Sequence, residues 1–162
     1  MVDVDIQTVS IAIASTGVFL AAIYYIFQIR HQTKMRQTDI IMRLHSIYIS
    51  EAYQKATARV KDTDYKDYDD FVKKYGSPSP NDVQISLQMV GTFFEGLGVL
   101  LSEKLLDINL IQKLFAVEKY WKKAEPIVKE LRKQSDASLW EWFEYLYNEV
   151  KNQEKKFQQS AA

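Results

Sequence analysis

From Ile6 to Ile29 the chain carries no charged residue, and Arg30, His31, Lys34 and Arg36 follow at once. As a helix this run rises about 36 Å, enough for a hydrocarbon core of about 30 Å. The pattern predicts a transmembrane helix. A secretory signal would place bases before its apolar core and small residues at a cut site after it. In this chain Asp3 and Asp5 precede the run and the bases follow it. Tyr24 and Tyr25, near its end, suit the headgroup boundary, and the one-sided Lys and Arg orient the span with its N-terminus outside. The expected location is the plasma membrane, with the bulk of the chain cytoplasmic.

The span has two unlike sides. At about 100° per residue, Ser10, Ala14, Gly17, Ala21 and Gln28 share one face, while Phe19, Ile23 and Ile26 share the other. Small residues four apart let helix backbones approach closely in lipid, and an amide such as Gln28 favours a partner or water over hydrocarbon. The stripe is a candidate self-association surface or, in a homo-oligomer, a pore lining.

Beyond the span the spacing is helical throughout, and the predicted fold class is all-α: an N-terminal transmembrane helix continuing into a cytoplasmic helical bundle. No Pro or Gly lies between Gly17 and Gly76, so the first helix is expected to run on to about Lys61. Its apolar face there is Ile40, Ile41, Leu44, Ile47 and Tyr48. A short helix over 67–75 stops at Gly76 as a C-terminal cap, and Asn81 or Asp82 caps the next, over 83–103. Gly91, Gly96 and Gly98 within that helix each cost about 1 kcal/mol relative to Ala, which points to close packing against a neighbour. Asp107 caps a further helix that reaches Trp121, with a kink or fresh start near Ala124 ahead of Pro126. Ser138 and Glu141 read as a capping box opening a last helix. The organisation is 1–30, span and short outside N-terminus; 31–150, helical domain, with 31–61 continuing the first helix; 151–162, a polar tail that frays.

Charge narrows the function classes. The 162 residues hold 21 Lys+Arg and 21 Asp+Glu, and a near-neutral domain lacks the basic footprint of a nucleic-acid binder. With no cysteine there is no thiol nucleophile and no sulfur-bound metal. His31 and His45 lie fourteen residues apart on one predicted helix, about 21 Å along its axis, too far to share a metal. The acidic run Asp62, Asp64, Asp67, Asp69 and Asp70 lacks the Gly and Glu that a calcium loop places at its sixth and twelfth positions. It reads as a solvated turn with helix-capping acids. Glu95, inside the most apolar soluble helix, is expected to be buried beside Arg132 or Arg43. Trp140, Trp142 and Tyr145 belong to an aromatic block crowded enough to cover more than one helix face; one side packs the core, and the remainder is either core too or an interaction patch for a partner or neighbouring subunit.

Three segments carry a resemblance: Asp67–Gly76 (DYDDFVKKYG), Phe93–Asp107 (FFEGLGVLLSEKLLD) and Trp140–Glu149 (WEWFEYLYNE), with Trp121, Pro126 and Arg132 between them. Behind one N-terminal span, they resemble an uncharacterised family of archaeal and bacterial membrane proteins built on a domain of unknown function. The resemblance covers most of the chain and implies architecture, not chemistry.

The expectation is a non-enzymatic, single-pass, self-associating scaffold or regulatory module at the membrane. It requires no cofactor or metal, and its partners are the lipid bilayer, copies of itself and an unidentified protein. The alternatives are a homo-oligomeric ion channel lined by the first helix and, more remotely, a membrane-tethered enzyme.

Overall fold

The computed structural model describes residues 5–76 and 79–161. Among these residues it is all-α, with seven helices and no strand: α1 (Ile6–Tyr48), α2 (Glu51–Asp62), α3 (Tyr68–Tyr75), α4 (Asp82–Ser102), α5 (Ile108–Leu114), α6 (Val117–Gln134) and α7 (Glu141–Ala161). The chain divides after Asp39 into an N-terminal unit and a domain that begins at Ile40.

The N-terminal unit is the greater part of α1. From Ile6 to Arg36 every side chain is exposed except that of Ile23, which is half-buried. The domain is organised on α4, which packs most extensively against α7 and α2, while α6 lies against α7 and α4. Apolar residues three and four apart on α4 explain its place: Val90, Phe94 and Leu97 are all buried. They meet Phe143, Leu146 and Val150 of α7, Tyr53, Ala56 and Val60 of α2, and Trp121, Ala124 and Val128 of α6 in one core. Phe94 stacks on Phe143 at 4.8 Å, and Trp121 meets the same ring edge-on at 5.0 Å. Such aromatic pairs add about 0.5–1.5 kcal/mol each beyond the area they bury.

Glycine makes the α4–α7 approach possible. A Cβ at Gly91 would overlap the Trp140 ring, and one at Gly98 would overlap the Trp142 carbonyl. Gly96 has no such neighbour, so the close-packing expectation holds for two of the three glycines.

Several boundaries differ from the sequence reading. The first helix does not continue to Lys61. It ends at Tyr48, and Ser50, with extended backbone, caps α2 by accepting a hydrogen bond from the Tyr53 N–H at 3.3 Å. Its apolar face holds for Ile40, Ile41, Leu44 and Tyr48, whereas Ile47 is 52% exposed. Gly76 does end α3, but with φ −68° rather than a left-handed turn; a Cβ there would strike the Val72 carbonyl. Asn81 is the cap of α4, in a reciprocal box with Gln84. The helix capped by Asp107 stops at Leu114, where Phe115 turns extended to pack its ring on Tyr48 and Phe93. The fresh start therefore falls at Val117, and α6 runs unbroken through Pro126. Ser138 opens no capping box; its N–H and hydroxyl both turn back to Asp136. The polar segment after Lys151 is the end of α7, helical to Ala161.

The α2–α3 connection is tied to α6. Tyr65 donates its hydroxyl to the Lys123 carbonyl, and the Lys123 ammonium donates to the Thr63 carbonyl. Asp67 of the acidic run caps α3, and Asp70 pairs with Lys74 at 2.9 Å.

Candidate functional site

Three places have the makings of a site. The first is the uncharged face of α1. Ser10, Ala14, Gly17, Ala21 and Gln28 are all exposed, and open space surrounds Gly17. Three hydroxyls in the run bond to the helix itself: Ser10 donates to the Ile6 carbonyl at 2.9 Å, Ser15 to Ile11 at 2.8 Å, and Thr16 to Ala12 at 2.8 Å. These three hydroxyls are thus paired within the helix, which lowers the cost of an apolar surround. Immediately after the run, Arg30, His31, Lys34 and Arg36 are exposed. A second helix, α4, is also long and apolar enough to cross a bilayer, but its apolar side forms the domain core.

The second place is the junction of α4 with α7. The turn before α7 brings Trp140 to φ 52°, a conformation costing about 1–3 kcal/mol for a non-glycine residue. No side chain of that turn caps the helix. Glu95 of α4 does so from outside: Oε2 accepts from the Phe143 N–H at 2.8 Å and Oε1 from the Trp142 N–H at 3.3 Å. These are first-turn donors with no partner inside the helix, at the end where a negative charge is favoured. Burial nevertheless pushes the Glu95 carboxyl above its ordinary value, outweighing those two N–H groups, and Glu141 pushes the same way.

The expected ion pair of Glu95 with Arg132 is not formed. Arg132 donates through Nε to the Leu139 carbonyl at 2.9 Å and through Nη1 to Glu144, so it braces the turn that leads into α7. Its Nη2 is buried without a partner among the described residues. Trp140, foreseen in an interaction patch, is instead 7% exposed, with its ring against Gly91. Trp142 remains at the surface, at 36%, edge-on to the half-buried Tyr145 at 5.8 Å.

The third place escaped the sequence. A groove of about 600 Å³ opens between α3, α4, α6 and the turn before α7. Phe71, Ile85, Leu131 and Trp140 line it with Tyr68, Gln84 and Gln88, and among the described residues no charged side chain takes part. Its volume and apolar lining suit a small-molecule site, yet its walls come from four separate segments that no local spacing connects. Among the described residues no cluster of three or more His, Asp or Glu is placed to hold a metal ion.

These features define an all-α protein in which a long, apolar N-terminal helix leads into a helical domain centred on one glycine-bearing helix. The chain belongs to the family described as Domain of unknown function (DUF4760), whose profile matches residues 11–150. No curated relative and no solved structure matches it.

Proposed function

We propose that the chain is a single-pass membrane protein whose Ile6–Ile29 segment crosses the bilayer, N-terminus outside, with the helical domain in the cytoplasm. Its role is that of a non-enzymatic scaffold or regulatory module, self-associating through the Ser10, Ala14, Gly17, Ala21 and Gln28 face.

One observation carries the reading: the uncharged run is exposed. Twelve large apolar side chains between Ile6 and Ile29 face outward. At about 1.5–3 kcal/mol each, leaving them in water forgoes about 18–36 kcal/mol, more than the whole stability of an ordinary domain, about 5–15 kcal/mol. A bilayer removes that cost. The family profile begins at residue 11, inside the run, which supports treating the run as a working part of the protein.

An alkaline carbonate wash followed by mass measurement in nanodiscs tests the reading. The chain should stay with the membrane pellet and form a closed homo-oligomer, and Gly17→Leu should dissociate that oligomer while the domain stays folded. Release into the supernatant refutes the anchor. A wild-type monomer refutes self-association.

A further inference from the structure

We propose that Arg30, His31, Lys34 and Arg36 form a collar that selects anionic phospholipid headgroups over zwitterionic ones, an inference that rests on the membrane reading of the preceding run. Four observations converge on it. The collar begins one residue after the uncharged run ends, and no acidic residue occurs from Ile6 through Thr38. All four side chains are exposed. Around one helix they point in different directions: at about 100° per residue, Arg30 and Lys34 share one side, Arg36 lies roughly opposite, and His31 lies between. Headgroups on every side of the helix thus meet a donor.

The fourth observation is the contrast with the domain. Lys55, Lys74, Lys122, Lys129 and Lys133 each pair with a carboxylate three or four residues away. None of the four collar residues has a carboxylate partner among the described residues, in a chain whose overall formal charge is zero. A local excess of positive charge in a neutral protein calls for an anion from outside. Its position, about 7.5 Å along the helix from Tyr25 to Arg30, sets that anion at the phosphate level just beyond an aromatic boundary. Tyr24 and Tyr25 are both exposed there, their rings edge to face at 6.0 Å.

Each Lys or Arg near an anionic surface is worth roughly fivefold in association, and the effect decays within a Debye length. Spin-labelled lipids provide the test. The full chain is reconstituted in phosphatidylcholine vesicles with trace spin-labelled phosphatidylglycerol or phosphatidylcholine, and the motionally restricted fraction gives their relative association. Both leaflets have the same composition, so the direction of insertion does not enter.

Phosphatidylglycerol should be preferred about fivefold or more at low salt. The preference should approach parity in 0.5 M NaCl and in the Arg30→Gln/Lys34→Gln/Arg36→Gln variant. The Lys122→Gln/Lys129→Gln/Lys133→Gln variant on α6 should retain it. Equal association of the two lipids with the wild-type chain overturns the collar and leaves the span intact, as does equal loss of preference in the α6 variant. A complete absence of restricted lipid overturns the span together with the collar.

Discussion

Glu95→Ala withdraws both acceptors from the start of α7, and the structure sets the size of the effect. Phe143 is fully buried, so its N–H cannot turn to water, and an orphaned buried donor costs about 1–3 kcal/mol. The Trp142 N–H is bonded at 3.3 Å under a partly exposed residue, and water replaces that bond at little cost. Losing a negative charge at a helix N-terminus adds about 0.5 kcal/mol. Release from burying a carboxylate offsets part of the sum. The net is about 2 kcal/mol, or roughly 6–10 °C in the melting temperature of a domain this size. Near-UV circular dichroism of the full chain in detergent reads it, because Trp121 and Trp140 are buried in the domain.

Glu95→Gln keeps one acceptor and should lose about half as much. The pH dependence has a definite sign. Burial raises the folded-state carboxyl above its ordinary 4.5, so the folded domain binds that proton more tightly than the unfolded chain. The resulting stability is present below about 4.5 and is lost as pH rises through the raised value. The gap between wild type and Glu95→Gln should therefore narrow on going from about pH 4 to pH 7. A Glu95→Ala melt within about 1 °C of wild type would refute the capping argument, and a gap that widens with pH would refute the burial argument.

The α4 glycines should respond in opposite directions. Gly91→Ala drives a methyl group into the Trp140 ring and should cost about 3 kcal/mol or more, whereas Gly96→Ala faces open space and should stabilise by up to about 1 kcal/mol; thermal melts of the two separate them. Phe94→Ala empties a fully buried position in the aromatic core and should lower stability by about 3–5 kcal/mol in denaturant titration. Ser50→Ala removes the α2 cap and should cost about 1 kcal/mol, read as a lower midpoint in the same titration.

Much of the fold was legible because its signals are local. Asp67, Asn81 and Asp107 mark helix starts by side-chain chemistry that acts within two or three residues, and apolar spacing marked Ile40, Ile41, Leu44 and Tyr48 as the side of α1 that meets the core. The breaks that were missed depend on partners far along the chain. Nothing near Phe115 forbids helix; the chain goes extended there because its ring is needed beside Tyr48 and Phe93. Ser50 likewise sits in a stretch without Gly or Pro, and the turn it caps lets Tyr53 reach the core.

Glu95 was recognisable as a charge needing a partner. That partner proved to be backbone N–H from a helix 47 and 48 residues away, which no search among side chains reveals. The groove between α3, α4 and α6 was illegible for the same reason. By contrast, the uncharged run of α1 and the bases that follow it belong to a single helix and stand in the sequence directly.

The most direct test of the central claim uses the absence of cysteine, which makes every introduced thiol the only one present. Asp5→Cys, Gly17→Cys and Lys61→Cys place one probe before the span, one within it and one in the domain, each exposed to a membrane-impermeant maleimide in intact and then lysed cells. The account predicts labelling of Asp5→Cys in intact cells, of Lys61→Cys only after lysis, and of Gly17→Cys in neither. Rapid labelling of Gly17→Cys after lysis, at the rate of Lys61→Cys, would place the uncharged run in water and contradict the account.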